Sequence, residues 1–264
     1  MDFLQAVILG LIQGFTEFLP ISSSGHVEIG TVLLHVKTSE NLLFLTVIHA
    51  ATCLSTIVVY RKDIGGILKG LREPKLNESW HFTLKILLSA IPVVIVGLLF
   101  MDDIDMLFGG RIVLISCMLI ITSFLLGFTY FVKANEGEVT YPKAFIIGIA
   151  QTIAVLPGLS RSGSTIATGL LMGVDRTRIT RFSFLMVIIP VLGASFLDLV
   201  KIIKQPSMVG DIPATMLLTG FIAAFISGFI ACKWMINIVK NGKLIYFAVY
   251  CFIVGTATLL ITLL

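Results

Sequence analysis

Apolar and polar positions along this chain fall into long blocks, not short alternations. Six blocks, approximately 41–60, 84–101, 111–132, 182–200, 214–234 and 244–264, are strongly apolar. Each is long enough to cross a bilayer as a helix, which takes roughly 17–25 residues. Two further apolar regions are interrupted: 3–36 by FLPISSSGH and 143–173 by VLPGLSRSGS. The arms beside each break are about 10 to 17 residues, too short to span alone. Non-helical backbone at membrane depth is tolerated only where protein buries it or water reaches it. Short arms around a Pro/Gly/Ser break therefore predict re-entrant helical hairpins. The expected fold is an all-α polytopic membrane protein, six transmembrane helices plus two re-entrant hairpins, forming one integral membrane domain over 1–264.

Composition strengthens this reading. The chain is 57% hydrophobic and 13% charged, against about 25% charged in an ordinary soluble domain. A soluble globule of this length cannot hide so much apolar surface. The net charge of +4 is modest and suits loops that set topology, not a nucleic-acid surface. Cys53, Cys117, Cys232 and Cys251 lie in apolar stretches without metal-type spacing, so they read as small packing residues.

The two interrupted regions resemble each other. GLIQGFTEFLPISSSG begins at Gly10 and GIAQTIAVLPGLSRSG at Gly148. Both read G-x-x-Q, then Leu-Pro, then S-x-S-G, with compensating one-residue gaps. Downstream, FLTVIHA from Phe44 matches FLMVIIP from Phe184. This predicts an internal duplication, with repeats of roughly 1–101 and 143–234. If the loop 61–85 is cytoplasmic, that side carries 14 of the 19 Lys and Arg residues, and Lys37, Arg111, Lys201 and Lys204 lie opposite. The positive-inside rule favours that orientation. The two hairpins then enter from opposite faces, so the repeats are inverted and their tips meet near the midplane.

The tips carry the candidate chemistry. Arg161 lies at membrane depth, where an arginine costs about 2.5–3.5 kcal/mol on insertion scales unless it is paired or faces water. A guanidinium there suits bidentate grip on phosphate oxygens. Ser160, Ser162, Ser164 and Thr165 add hydroxyls, and Gly158 and Gly163 allow close backbone approach. A helix starting near Gly163 would aim a positive dipole end at the break. Ser22, Ser23, Ser24 and Gly25 repeat the design ahead of a helix expected near His26. Glu17 follows Gln13 by four residues and shares its helix face. Glu17 suits a metal ligand or base, His26 a base, acid or nucleophile, and a serine a nucleophile beside a base. Glu28 is expected in support of the site or facing a vestibule, and His49 reads best as a core histidine bordering it.

QGFTEFLPISSSGH and LPGLSRSGST closely resemble the two signatures of the undecaprenyl-diphosphatase family, the bacitracin-resistance membrane phosphatases. IHAATCLSTIVVYRKDI, AIPVVIVGLLF and GVDRTRITRFSFLMVIIPVLGA also look like family blocks, in the family's order. The resemblance covers nearly the whole chain and agrees with the fold expected above. It implies hydrolysis of undecaprenyl diphosphate to undecaprenyl phosphate and phosphate, recycling the lipid carrier of cell-wall synthesis at the bacterial plasma (inner) membrane. It also implies a divalent cation, Mg2+ or Ca2+. Carried over by position, the acidic motif falls on Gln13 and Glu17, the serines on Ser22, Ser23 and Ser24, the histidine on His26 and the arginine on Arg161. Gln13 is neutral, so a pair of carboxylates there is ruled out and Glu17 acts alone or with Glu28. The expected arrangement has Arg161 and the tip N–H groups on the diphosphate, Glu17 on the cation, Ser23 as nucleophile and His26 as its proton acceptor. Direct attack by His26, or by water that one of them activates, stays open, as does the choice among the three serines. The rival type 2 phosphatidic-acid phosphatase pattern fails here: Lys-x6-Arg-Pro is absent and the sixth residue after Arg161 is Ala167. A transporter or flippase of a phosphorylated polyprenyl lipid is the alternative function. The partners expected are the polyprenyl substrate and membrane lipids. A homodimer is left open.

Overall fold

The computed structural model describes residues 1–36, 42–100, 103–104, 106–107, 111–133, 135–204 and 212–264. Lys37, counted above, lies outside them. The described residues form twelve α-helices and no strand, only an isolated bridge between Gly137 and Val174. In chain order they are α1 (Phe3–Phe18), α2 (Ser23–Leu33), α3 (Leu42–Val59), α4 (Arg61–Leu71), α5 (Glu78–Leu99) and α6 (Ile112–Phe128). They continue with α7 (Tyr141–Ile153), α8 (Arg161–Leu171), α9 (Arg176–Met186), α10 (Ile188–Lys204), α11 (Ala214–Lys240) and α12 (Ile245–Leu263).

Among the described residues six helices are long and apolar enough to cross a membrane, with α9 and α10 taken together. The expected spans agree with them in number and order. The fourth differs in form. It begins at Arg176, not near 182, and is interrupted at Val187. Pro190 explains the interruption, because it lacks the N–H that would bond to Met186 and its ring crowds that carbonyl.

Two pairs of shorter helices, α1 with α2 and α7 with α8, fold back on themselves as hairpins. At 1.5 Å per residue, the 16 residues of α1 reach roughly 24 Å, short of a hydrocarbon core of about 30 Å. The helix starts expected near His26 and Gly163 lie earlier, at Ser23 and Arg161, because Ser22 and Ser160 are the capping residues.

Each hairpin leans on a long helix from the far part of the chain. The first arm, α1, packs along α11, and α7 packs along α5. The α1–α11 crossing is a seam of small residues. A Cβ on Gly10 would lie 2.6 Å from the Gly220 carbonyl oxygen, and one on Gly14 would lie 2.8 Å from the Gly228 nitrogen. Gly148 meets Ser89 in the same way, 2.8 Å from its Cα. Backbones this close gain dispersion contacts that larger residues forbid, which is how helices associate where there is no hydrophobic drive between them. Helix α6 pairs with α12 and runs beneath both tips.

Candidate active site at the hairpin tips

The tips touch. Gly25 of the first faces Gly158 of the second, with 3.1 Å between a Cβ placed there and the Gly158 Cα. Gly158 has a φ of +92° and lies against the Ile115 backbone of α6, so both its conformation and its surroundings demand glycine. Ser162 donates from Oγ to the Leu19 carbonyl at 3.4 Å. Thr122 of α6 braces the second tip by accepting from the Ser160 N–H at 3.1 Å.

The two helix starts are built alike. Ser22 Oγ accepts from Gly25 N at 3.3 Å and lies 3.3 Å from Ser24 Oγ. Ser160 Oγ accepts from Gly163 N at 3.0 Å and lies 3.4 Å from Ser162 Oγ. The N-termini of α2 and α8 therefore converge, and each brings a positive dipole end.

Glu17 lies between them. Its Oε1 is ion-paired with Arg161. Its Oε2 accepts from Ser23 Oγ at 2.5 Å and from Gln13 Nε2 at 2.9 Å. The Glu17 side chain is 8% exposed and that of Arg161 28%, so the pair is sheltered yet reachable. A narrow cleft opens beside it, walled by Thr52, Cys53 and Thr56 of α3, Thr165 of α8, and Ser183 and the Val187 break of α9 and α10. Thr165 Oγ1 and Ser183 Oγ are 2.6 Å apart.

This geometry corrects one expected contact. Ser23 is paired with Glu17, not with His26. The His26 ring bonds from Nδ1 to the Ser22 carbonyl at 2.8 Å and from Nε2 to the Tyr250 hydroxyl at 2.9 Å. Helical geometry explains it: position 26 is one turn beyond Ser22, while Glu17 reaches Ser23 across the hairpin. Glu28 is buried on α2 and is not part of the cleft wall. Ser164 is buried and its hydroxyl has no hydrogen-bond partner.

Ser23, Glu17 and Arg161 are thus brought together from two distant segments. A family model described as "Bacitracin resistance protein BacA" matches residues 6–257. The chain belongs to the BacA family. Proteins similar to it include one of Bacteroides fragilis (52% identical, covering 99% of each chain) and one of Parabacteroides distasonis (51%, covering all of both). Another, of Korarchaeum cryptofilum, is 37% identical over 98% of this chain and 99% of its own. Each carries the name undecaprenyl-diphosphatase. With six helices long and apolar enough to cross a membrane, it is a multi-pass membrane protein.

Of the polar stripe on α3, the sequence reading placed only His49 beside the site, and Thr52, Cys53 and Thr56 on the cleft wall escaped it. His49, Thr52, Cys53 and Thr56 follow i, i+3, i+4, i+7 spacing on one face of an apolar helix. That stripe was legible as a site-facing surface. His49 donates from Nδ1 to the Leu45 carbonyl at 2.8 Å. Tyr250 had no signal, since nothing in α12 marks one tyrosine out. As for a cation, among the described residues Glu17 is the only carboxylate on the cleft wall and no cluster of three or more His, Cys, Asp or Glu forms. That donor set fits a cation bound mainly by substrate phosphates, as Mg2+ often is, and does not form a protein cage.

Proposed function

We propose that the protein hydrolyses undecaprenyl diphosphate to undecaprenyl phosphate and phosphate in the bacterial plasma membrane. The observation that carries this reading is the Ser23–Glu17–Arg161 contact where two helix N-termini converge. A hydroxyl 2.5 Å from a carboxylate is a nucleophile beside its base. The guanidinium has five N–H donors, more than one carboxylate oxygen uses, so Arg161 can hold phosphate oxygens. Two helix N-termini add further attraction for an anion.

Ser23 Oγ attacks the terminal phosphorus as its proton passes to Glu17. The bond to the bridging oxygen breaks, and undecaprenyl phosphate leaves. Glu17 gives that proton to the departing undecaprenyl phosphate, so it is again a carboxylate when water attacks the phosphoserine. Glu17 takes the proton of the water, the Ser23 Oγ–P bond breaks, Oγ recovers the proton and phosphate is released. Arg161 holds charge that develops on the equatorial oxygens. A divalent cation, Mg2+ or Ca2+, supplies further neutralisation of phosphate charge when held by Glu17 and the substrate's own oxygens. The hydroxyls of Thr165 and Ser183 face the cleft and bind the diphosphate. Apolar helix surfaces beside the hairpins accept the polyprenyl tail. In this reading both hairpins are re-entrant, entering the bilayer from opposite sides as inverted repeats.

The test is phosphate release from undecaprenyl diphosphate by purified protein in detergent with Mg2+, beside Arg161→Ala, Ser23→Ala and a chelated control. Micelles have no two leaflets, so release there separates hydrolysis from lipid transport. Turnover by the wild type with loss in all three controls supports the reading. A folded wild type that releases no phosphate refutes it and favours the transporter alternative.

A further inference from the structure

The corrected His26 contacts leave that residue without a direct part in the Ser23–Glu17 chemistry. Its surroundings give it another. A carbonyl oxygen only accepts, so the bond from His26 Nδ1 to the Ser22 carbonyl at 2.8 Å puts the ring proton on Nδ1. In the neutral ring Nε2 is then the lone-pair nitrogen, and it accepts from the Tyr250 hydroxyl at 2.9 Å. The two rings also lie nearly parallel, 15° apart with centroids at 5.6 Å.

The carbonyl so held belongs to an unusual residue. Ser22 has φ +71° and ψ +98°, a backbone conformation that favours glycine, and it immediately precedes Ser23. Three bonds hold it there. Its carbonyl accepts from both the His26 main-chain N–H at 3.2 Å and Nδ1, and its Oγ accepts from Gly25 N. The second tip provides the contrast. Ser160 occupies the same capping position with an ordinary φ of −74°. Four residues on stands Ser164, whose hydroxyl has no partner, in place of a histidine. The strained peptide and the ring that grips it occur together on the tip that carries the nucleophile, and both are missing from the other. Helix α12 backs the arrangement at a second point, where Cys251 Sγ lies 3.8 Å from the Pro20 carbonyl.

We propose that Tyr250 and His26 are positioning residues: Tyr250 fixes the His26 ring, whose Nδ1–H holds the strained Ser22 peptide, and that peptide aims the Ser23 hydroxyl at Glu17. The proposal rests on the phosphatase reading above. It makes His26 a latch, neither nucleophile nor proton acceptor, and it makes a residue outside both hairpins part of the working site.

The latch is tested by combining kinetics with the state of the ring. Tyr250→Phe removes one hydroxyl and keeps the stack, so kcat falls about three- to tenfold with KM within about twofold. His26→Asn keeps an amide N–H near the place of Nδ1 but can neither take a proton nor attack phosphorus. It retains about a tenth of wild-type kcat, whereas His26→Ala loses about a hundredfold or more. Nitrogen-15 NMR of histidine-labelled protein, with the signal assigned by its loss in His26→Asn, shows a neutral ring protonated on Nδ1 in the wild type and mixed tautomers in Tyr250→Phe. The proposal is overturned if folded His26→Asn is as inactive as His26→Ala, if the wild-type ring carries its proton on Nε2, or if Tyr250→Phe matches wild type in both kcat and ring signals. A wild type without phosphatase activity would refute the functional reading instead, and the NMR would still test the latch.

Discussion

Arg161→Ala leaves Glu17 as a buried carboxylate whose Oε1 has lost its partner, while Oε2 keeps the neutral donors Ser23 and Gln13. Removing one member of a buried ion pair costs about 3–5 kcal/mol, mostly because the remaining charge is stranded. Arg161 is 28% exposed, so some water reaches the pair and the lower end, about 3 kcal/mol, is expected. For a chain of this size each kcal/mol moves the melting temperature by about 2–4 °C, giving a drop of about 6–12 °C. The double variant Glu17→Gln/Arg161→Ala removes the stranded charge and should recover about half of that loss. The assay is thermal unfolding of purified protein in one detergent at a fixed scan rate, for wild type, both single variants and the double. The reasoning fails if Arg161→Ala melts with the wild type, or if the double variant melts no higher than Arg161→Ala. Turnover does not enter this test, so it probes the electrostatics of the tips whatever their chemistry.

Ser23→Ala is expected to cut phosphate release by at least about a thousandfold, the scale of losing a nucleophile, while melting within a few degrees of wild type. Residual turnover near wild type would return the nucleophile to another serine, His26 or water. Ser183→Ala removes the 2.6 Å partner of Thr165 on the cleft wall. A lost hydrogen bond of about 1 kcal/mol should raise KM about fivefold with little change in kcat, measured by substrate titration. Gly148→Ala places a methyl group against the Ser89 backbone, 2.8 Å from its Cα. Backbone cannot step aside as a side chain can, so a loss of about 1–3 kcal/mol or more is expected, read as a lower melting temperature and poorer monodispersity.

Much of the fold was legible because membrane physics leaves few options. Blocks near 20 residues announced the long helices, and FLPISSSGH and VLPGLSRSGS announced the two breaks. The third break was also written, as Pro190 two residues beyond Ile188, but the apolar run on both sides hid it. Of the site, the three serines could not be told apart by sequence, but Glu17, His26 and Arg161 stood out as polar groups that helix capping does not explain. Their pairing did not, because which base faces which hydroxyl depends on the hairpin's turn, and the strained Ser22 sets that turn. The contribution of α3 was visible only as helical spacing, and Tyr250 not at all, since its meaning comes from a contact 224 residues away in sequence.

The exchange of supporting helices also constrains how the protein is made. The first hairpin arm finds its partner surface on α11, which leaves the ribosome roughly 200 residues later. At about 5–20 residues per second, α1 waits some 10 to 40 s for it. For most of that interval, until residue 161 is made, Glu17 lies on a short helix and has no Arg161 to neutralise it. The insertion machinery must therefore shelter the first tip, or let it wait at the membrane surface, until the second half arrives. A chain stopped before residue 214 would hold both tips but lack the α11 seam against which the first is seated. Completion of translation, not insertion of the first hairpin, is the event that closes the site.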